Sequence, residues 1–151
     1  LRPGGLGAGA IEGEDMTVAK ASAGKTSAQD MANFKKDRWS GGKQLFWSGG
    51  KPGAKLELEF DVADAGKFNV AAALTMAGDY GVVQLFLDGE KLCEPLDLYN
   101  YPDVVTSGVL DLGTREVAAG KHLLSVEIAG ANPAAQQAYM FGLDYLLLSA
   151  K

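Results

Sequence analysis

Apolar and polar positions alternate with a period of two along much of the chain. The clearest case is 55–62, KLELEFDV, where Leu56, Leu58, Phe60 and Val62 face one way and Lys55, Glu57, Glu59 and Asp61 the other. Successive side chains of a strand point to opposite faces, so this pattern predicts a half-buried strand with one wet face. Residues 67–76 repeat it with Phe68, Val70, Ala72, Leu74 and Met76 on one face, and Ala65-Gly66 between the two runs reads as a hairpin turn. In VVQLFLDGEKL, Asp88-Gly89 separates two apolar arms. That dipeptide signals a tight hairpin, because the turn needs positive φ at both positions. Residues 108–118 form another extended run, and Ala119-Gly120 turns into KHLLSVEIA, where Leu124, Val126 and Ile128 align. In MFGLDYLLL, Phe141, Leu143, Tyr145 and Leu147 fall on one face, with Asp144, Leu146 and Leu148 on the other.

Helical periodicity is weak. Residues 26–36 (TSAQDMANFKK) are polar and read as a loop or a single turn, and 131–138 (ANPAAQQA) are short despite Pro133, which suits a first helical turn. No repeat of 20–50 residues stands out. Eight or more short strands, closely spaced turns and no long helix predict an all-β chain folded as an antiparallel β-sandwich. A parallel α/β fold would need helices between its strands.

Composition narrows the function classes. A chain of 151 residues has the size of one domain and can bury a core unaided. Its net charge of −5 argues against a nucleic-acid partner, which calls for a basic face. No apolar run reaches the roughly 18–20 residues of a membrane helix, so membrane insertion is not expected. The 20 glycines fit a chain with many turns. With Cys93 alone, an internal disulfide and a thiolate metal cluster are excluded, and Cys93 reads as a small inert hydrophobe. His122, the one histidine, opens a strand beside Leu124 and reads as structural. Lys35, Lys36 and Arg38 read as a solvated loop. Residues 1–9 read as a Gly-rich linker from a preceding domain and 10–151 as the folded module, which makes the expected whole a longer protein.

Two groups of residues carry candidate chemistry. Glu12 and Glu14, two apart in IEGEDM, point the same way if the segment is a strand, with Met16 and Val18 on that face. Asp144, on the apolar face of Leu146 and Leu148, must be paired, protonated or bound to a cation. If the first and last strands are neighbours, the three carboxylates with backbone carbonyls make an oxygen site suited to Ca²⁺. The plainer alternative leaves Glu12 and Glu14 solvated and Asp144 bonded to backbone amides.

The second group is aromatic. Trp39 and Trp47 flank WSGGKQLFW, Tyr80 lies in GDYG, and Tyr99 and Tyr101 lie in DLYNYPD. Loop aromatics beside carboxylates and amides are the components of a sugar site, because a ring stacks on the C–H side of a pyranose while polar groups take its hydroxyls. Such aromatics also plug the ends of sandwiches, and Trp47, in an apolar stretch, reads as core. The residues assigned to carbohydrate are Trp39, Asp79, Tyr80, Gln84, Asp97, Tyr99 and Asn100. No G-x-S-x-G elbow is present, no phosphate-binding glycine fingerprint is present, and no pair among the 19 acidic residues is marked out as a glycosidase couple.

Several segments carry a family resemblance. IEGED resembles the opening of carbohydrate-binding module families 6 and 35, and GLDYLLL their final strand. GKPGAKLELEFDVADAGKFNV and AAGKHLLSVEIAG are similar to two of their internal strand motifs, so residues 10–149 are covered in order. WSGGKQLFW, DYGVVQLFLDG, DLYN and YMFGLDY also resemble a domain appended to bacterial proteins related to glycoside hydrolase family 172. The resemblance implies a galactose-binding-like jelly roll, a structural Ca²⁺ on Glu12, Glu14 and Asp144, and a sugar site in the loops at one end. The family's aromatic stretch before the strand is missing here, where KPGAKLELEF stands instead. The expected function is therefore a non-catalytic carbohydrate-binding module of a larger, secreted bacterial protein. Its partners would be a polysaccharide or oligosaccharide and a catalytic domain of the same chain, outside the cell or in the periplasm. The alternative is a structural sandwich that packs on a catalytic domain or on a copy of itself; a catalytic sandwich acting on glycosides is a third reading.

Overall fold

The computed structural model describes residues 10–31, 39, 42–101, 103–136 and 138–150. The basic cluster Lys35, Lys36 and Arg38 and the linker 1–9 lie outside them. The described chain is a two-layer antiparallel β-sandwich. One sheet holds β1 (Ala10–Glu12), β3 (Lys25–Asp30), β4 (Lys43–Ser48), β6 (Gly66–Met76), β10 (Val105–Val117) and β12 (Phe141–Ala150). Its order is β10-β6-β12-β4-β3, with β1 also on β12. The second holds β2 (Thr17–Ala21), β5 (Lys55–Val62), β7 (Val82–Leu87), β8 (Glu90–Lys91), β9 (Leu96–Asp97) and β11 (Gly120–Gly130). Its order is β2-β5-β11-β7-β8, with β9 also on β7.

The core lies between the two sheets. Leu56, Leu58, Phe60 and Val62 of β5 are all buried, as their alternation requires, and so are Leu124, Val126 and Ile128 of β11. From the other sheet, Val70 and Leu74 of β6, Leu45 and Trp47 of β4, and Phe141 and Leu146 of β12 are buried against them. Trp47 is fully enclosed, as expected of a core residue, and its Nε1–H donates to the Ala23 carbonyl at 2.9 Å. Asp88-Gly89 forms the expected two-residue turn between β7 and β8, with φ of 51° and 87°. Among the described residues, no helix is long and apolar enough to cross a membrane.

Three expectations are corrected. β5 and β6 are not a hairpin: they belong to different sheets, so the turn before Gly66 carries the chain from one layer to the other. Alternation reports which face of a strand is buried, not which strand lies beside it. Residues 26–30 are not a loop but most of β3, a polar edge strand paired along β4 from Lys25↔Ser48 to Asp30↔Lys43. Backbone pairing to an apolar neighbour makes this strand, and Gln29 Oε1 adds one side-chain bond by accepting from Gln44 Nε2 at 2.7 Å. Finally, β12 does not keep one apolar face throughout. Its pairing with β6 shifts between Leu143 and Tyr145, which leaves Asp144 as a bulge. Phe141, Leu143, Leu146 and Leu148 are buried in the core cluster, while Tyr145 and Leu147 pair with Ala73 and Ala71. Asp144 is thereby removed from the face of Leu146 and Leu148. Residues 131–136 form a turn, in which Asn132 Oδ1 accepts the Ala134 N–H at 2.9 Å.

His122 fastens two loops. Its Nδ1 is 2.6 Å from Asp88 Oδ2 and its Nε2 is 2.6 Å from the Ala118 carbonyl. Both partners are acceptors, so only the doubly protonated ring donates to both. Burial works against that charge, but the Asp88 carboxylate and the Ala118 carbonyl outweigh it and hold the imidazole pKa above its usual value. A raised histidine pKa contributes stability below the unfolded value of about 6.5 and loses it as pH rises through the folded value. Thermal melts as a function of pH are expected to show stability falling above about pH 6.5, with that slope much reduced in His122→Gln. A slope unchanged by the substitution would rule out this clip.

Candidate functional site

At one end of the sandwich three connections converge. The link from β6 to β7, 77–81, is bridged in parallel to Tyr99 through Ala77 and to Met140 through Tyr80. The Ala77 N–H donates to the Leu98 carbonyl at 3.0 Å, and the Ala77 carbonyl accepts the Asn100 N–H at 3.1 Å. The Gly78 carbonyl accepts the Gln136 N–H at 2.8 Å, and the Asp79 carbonyl accepts the Met140 N–H at 3.1 Å. The segments that carry Leu98 and Asn100 and those that carry Gln136 and Met140 are thus tied to one floor, and between them opens a cleft of about 550 Å³.

Ala77, Gly78 and Asp79 form the floor, and Tyr99 and Tyr101 form an aromatic side. Val104, Ala134 and Gln136 complete the lining. Tyr101 is 74% exposed. Its ring lies beside Gly78, where a Cβ would sit in ordinary van der Waals contact with Tyr101 Cδ1 at 3.5 Å. Asp97 braces this wall: Oδ1 accepts the Tyr99 N–H at 3.0 Å, and Oδ2 accepts from Asn132 Nδ2 at 2.8 Å in the facing loop. Asn100 donates through Nδ2 to the Asp103 carbonyl at 2.6 Å. Exposed aromatic faces, one carboxylate and one free-standing amide make a surface that can stack on a ring and bond its hydroxyls.

Four of the residues assigned to carbohydrate from the sequence therefore meet at the cleft: Asp79 and Tyr99 line it, and Asp97 and Asn100 hold its loops. The other three do not. Trp39 is 6% exposed, and its Nε1–H donates to Thr75 Oγ1 at 2.8 Å. Tyr80 is 4% exposed; its OH accepts from Gln44 Nε2 at 3.0 Å, and burial pushes its phenol further above the ordinary range. Gln84 is buried and donates to the Cys93 carbonyl at 2.6 Å. An aromatic packed on both faces has none left for a sugar, so these side chains belong to the support. The sequence reading left Tyr101, Val104, Ala134 and Gln136 out of the site. The spacing of Tyr99 and Tyr101, which places both on one side of an extended loop, was a signal for Tyr101. Gln136 is far away in sequence and carried none.

The carboxylates lie elsewhere. The first and last strands are neighbours, with Glu12 opposite Tyr145. β1 ends at Glu12, however, and Glu14 sits in a 3-10 turn, Gly13–Asp15, so the two glutamates do not share a strand face. Glu12 and Asp144 are buried. Glu14 Oε1 is enclosed without a hydrogen-bond partner. Burial, with the charges of Glu12 and Asp15, pushes the Glu14 carboxyl up to about 7. Burial and the nearby Asp144 and Glu12 carboxylates push the Tyr145 phenol up as well. Among the described residues, no three His, Cys, Asp or Glu side chains gather as they stand into a metal-holding group.

No family model matches the chain, and no curated protein matches it. Solved structures share its fold. A Paenibacillus xanthan lyase superposes over 94% of this chain with a TM-score of 0.80 and 20% identity. A family 35 carbohydrate-binding module from Clostridium thermocellum matches over 93% of this chain and 98% of its own, with a TM-score of 0.55 and 15% identity. A Podospora anserina GH26-CBM35 β-(1,4)-mannanase matches over 95%, with a TM-score of 0.56 and 13% identity. This chain spans 13% of the lyase chain and 28% of the mannanase chain. The resemblance to carbohydrate-binding modules read from the sequence therefore holds at the level of the fold.

Support and cleft are separable by stability. Tyr80→Ala is expected to cost about 3 kcal/mol or more in chemical denaturation, from lost packing and an orphaned Gln44 amide. Tyr101→Ala is expected to stay within about 0.5 kcal/mol of the parent. Similar losses for both would contradict the assignment of Tyr101 to an open surface.

Proposed function

We propose that this chain is a non-catalytic carbohydrate-binding module, and that the cleft between 77–79, 99–104 and 134–136 holds the glycan. The observation that carries this reading is the aromatic side built by Tyr99 and Tyr101 over a carboxylate and an amide. Tyr101 offers an open face for the C–H side of a sugar ring, and Tyr99 extends the platform. Asp79 accepts from hydroxyls, and Gln136 both donates and accepts. Asp97 and Asn100 act through the loops they brace, so the site is largely formed before a ligand arrives, which limits the ordering cost of binding. The solved structures that share this fold support the reading, since they include a carbohydrate-binding module, a xanthan lyase and a mannanase. The low share of the two enzyme chains that this fold occupies supports an accessory place in a longer polysaccharide-acting protein. Its partners are then a glycan and a catalytic domain of the same protein, and its place is outside the cytoplasm, where such polymers are met.

We also propose that Ca²⁺ binds where β1 meets β12, with Glu12 and Glu14 as ligands and Asp144 as the third carboxylate. The unpartnered Glu14 Oε1 supports this. A cation there would offset the cost of burying like charges and would lock the first strand to the last. Its role is structural, because these residues are separate from the cleft lining.

Two measurements test these readings. A glycan and polysaccharide panel is expected to show binding to a defined class. That binding should weaken about tenfold or more in Tyr101→Ala and clearly in Tyr99→Ala, with both proteins still folded. No binding from a well-folded parent would favour a surface that packs on protein instead. Thermal melts in Ca²⁺ and in EDTA are expected to differ, by about 2.7 kcal/mol in stability when Ca²⁺ is at 100 times its Kd. Glu14→Gln should abolish the difference; identical parent melts would dismiss the cation.

A further inference from the structure

The charge pattern of the cleft carries a consequence for its ligand, resting on the carbohydrate reading above. Of the described lining residues, Asp79 is the one with a formal charge, and none is Lys, Arg or His. Among the described residues, the loop that carries the aromatic wall adds acidic side chains and no basic one. Asp97, exposed, holds the Tyr99 N–H, and the carbonyl of Asp103 receives the Asn100 amide, so both further carboxylates belong to the loop that carries the aromatic wall. The two tyrosine faces add partial negative charge, because an aromatic ring is negative over its face and positive at its edge.

We infer that the cleft selects its glycan by charge, taking uncharged or amino sugars and rejecting uronate- or sulfate-bearing ones. An anionic sugar would lose water next to Asp79 and gain no cation in return. A neutral pyranoside presents hydroxyl donors, which Asp79 accepts directly. A uronate replaces the C6 hydroxyl, a donor, with an acceptor-only group. An amino sugar adds a donor and, when protonated, a charge that both Asp79 and the tyrosine faces attract. Discrimination of this kind works by an unfavourable contact with the wrong ligand as much as by a favourable one with the right ligand.

The test compares polysaccharides that differ only in charge. Polygalacturonate and alginate are each used in native form and after reduction of their carboxyls to primary alcohols, beside a panel of neutral and aminated polymers. Binding of the whole chain is measured at low and high salt. The expected result is that each reduced form to which the cleft binds is held about tenfold more tightly than its native form at low salt. The gap narrows at high salt, and it narrows at low salt in Asp79→Asn. Gln136→Lys, at an exposed position, is expected to raise binding of the native acidic polymers. Equal or tighter binding of the native acid overturns the charge selection and leaves the carbohydrate reading standing. Binding to nothing in the panel overturns both.

Discussion

The amide of Gln44 sits fully buried in β4, and four side chains depend on it. It donates to Tyr80 Oη and to Gln29 Oε1, the latter at 2.7 Å, and it accepts from Thr75 Oγ1, which in turn accepts from the Trp39 indole. A buried amide with every partner in place is strongly directional, while the same amide missing a partner is costly. Gly142, on the adjacent strand, makes room for it, because a Cβ there would run into the Gln44 side chain. Through Tyr80 this network reaches the segment that forms the cleft floor: Asp79 precedes the anchored tyrosine, and Gly78 and Ala77 precede Asp79. The polar layer on one sheet thus sets the position of a carboxylate that itself takes no part in the network.

The two ends of the molecule are organised by different physics. At the cleft, backbone hydrogen bonds join three loops into one floor, and Asp97 bridges two of them, so side chains such as Tyr101 are free to face solvent. Where β1 meets β12, buried carboxylates lie close together, and the bulge at Asp144 turns that residue away from the core. The first arrangement is satisfied within the chain and leaves a surface over. The second leaves an enclosed carboxylate oxygen without a hydrogen-bond partner, an unfavourable burial that raises the Glu14 pKa.

The periodicity of β5 and β11 specified their buried faces, and Asp88-Gly89 specified its turn, because both signals are local. Fold class followed from them. Strand partnership did not, as the passage from β5 to β6 shows: two adjacent runs with matching apolar faces can pair side by side or face each other across a core, and the sequence pattern is the same. β3 was invisible for a related reason, since its polar residues are held by backbone pairing to β4.

Site residues divide along the same line. The kinds of group a sugar site needs, and the segments 79–80 and 97–101 that carry them, were legible as loop aromatics next to carboxylates and amides. Exposure was not, because it depends on what packs above each ring: Tyr80 and Tyr101 have similar local sequence settings, yet one lies under the Gln44 network and the other is open to water. The sequence by itself determined the β-rich layers, the core residues and the acidic balance, all of which are sums over local chemistry. Only the tertiary structure decided which tyrosines face a ligand, that Gln136 joins them, and that Glu12, Glu14 and Asp144 lie near the same strand pairing. Those outcomes require contacts between residues far apart in the chain, and no period or dipeptide encodes them.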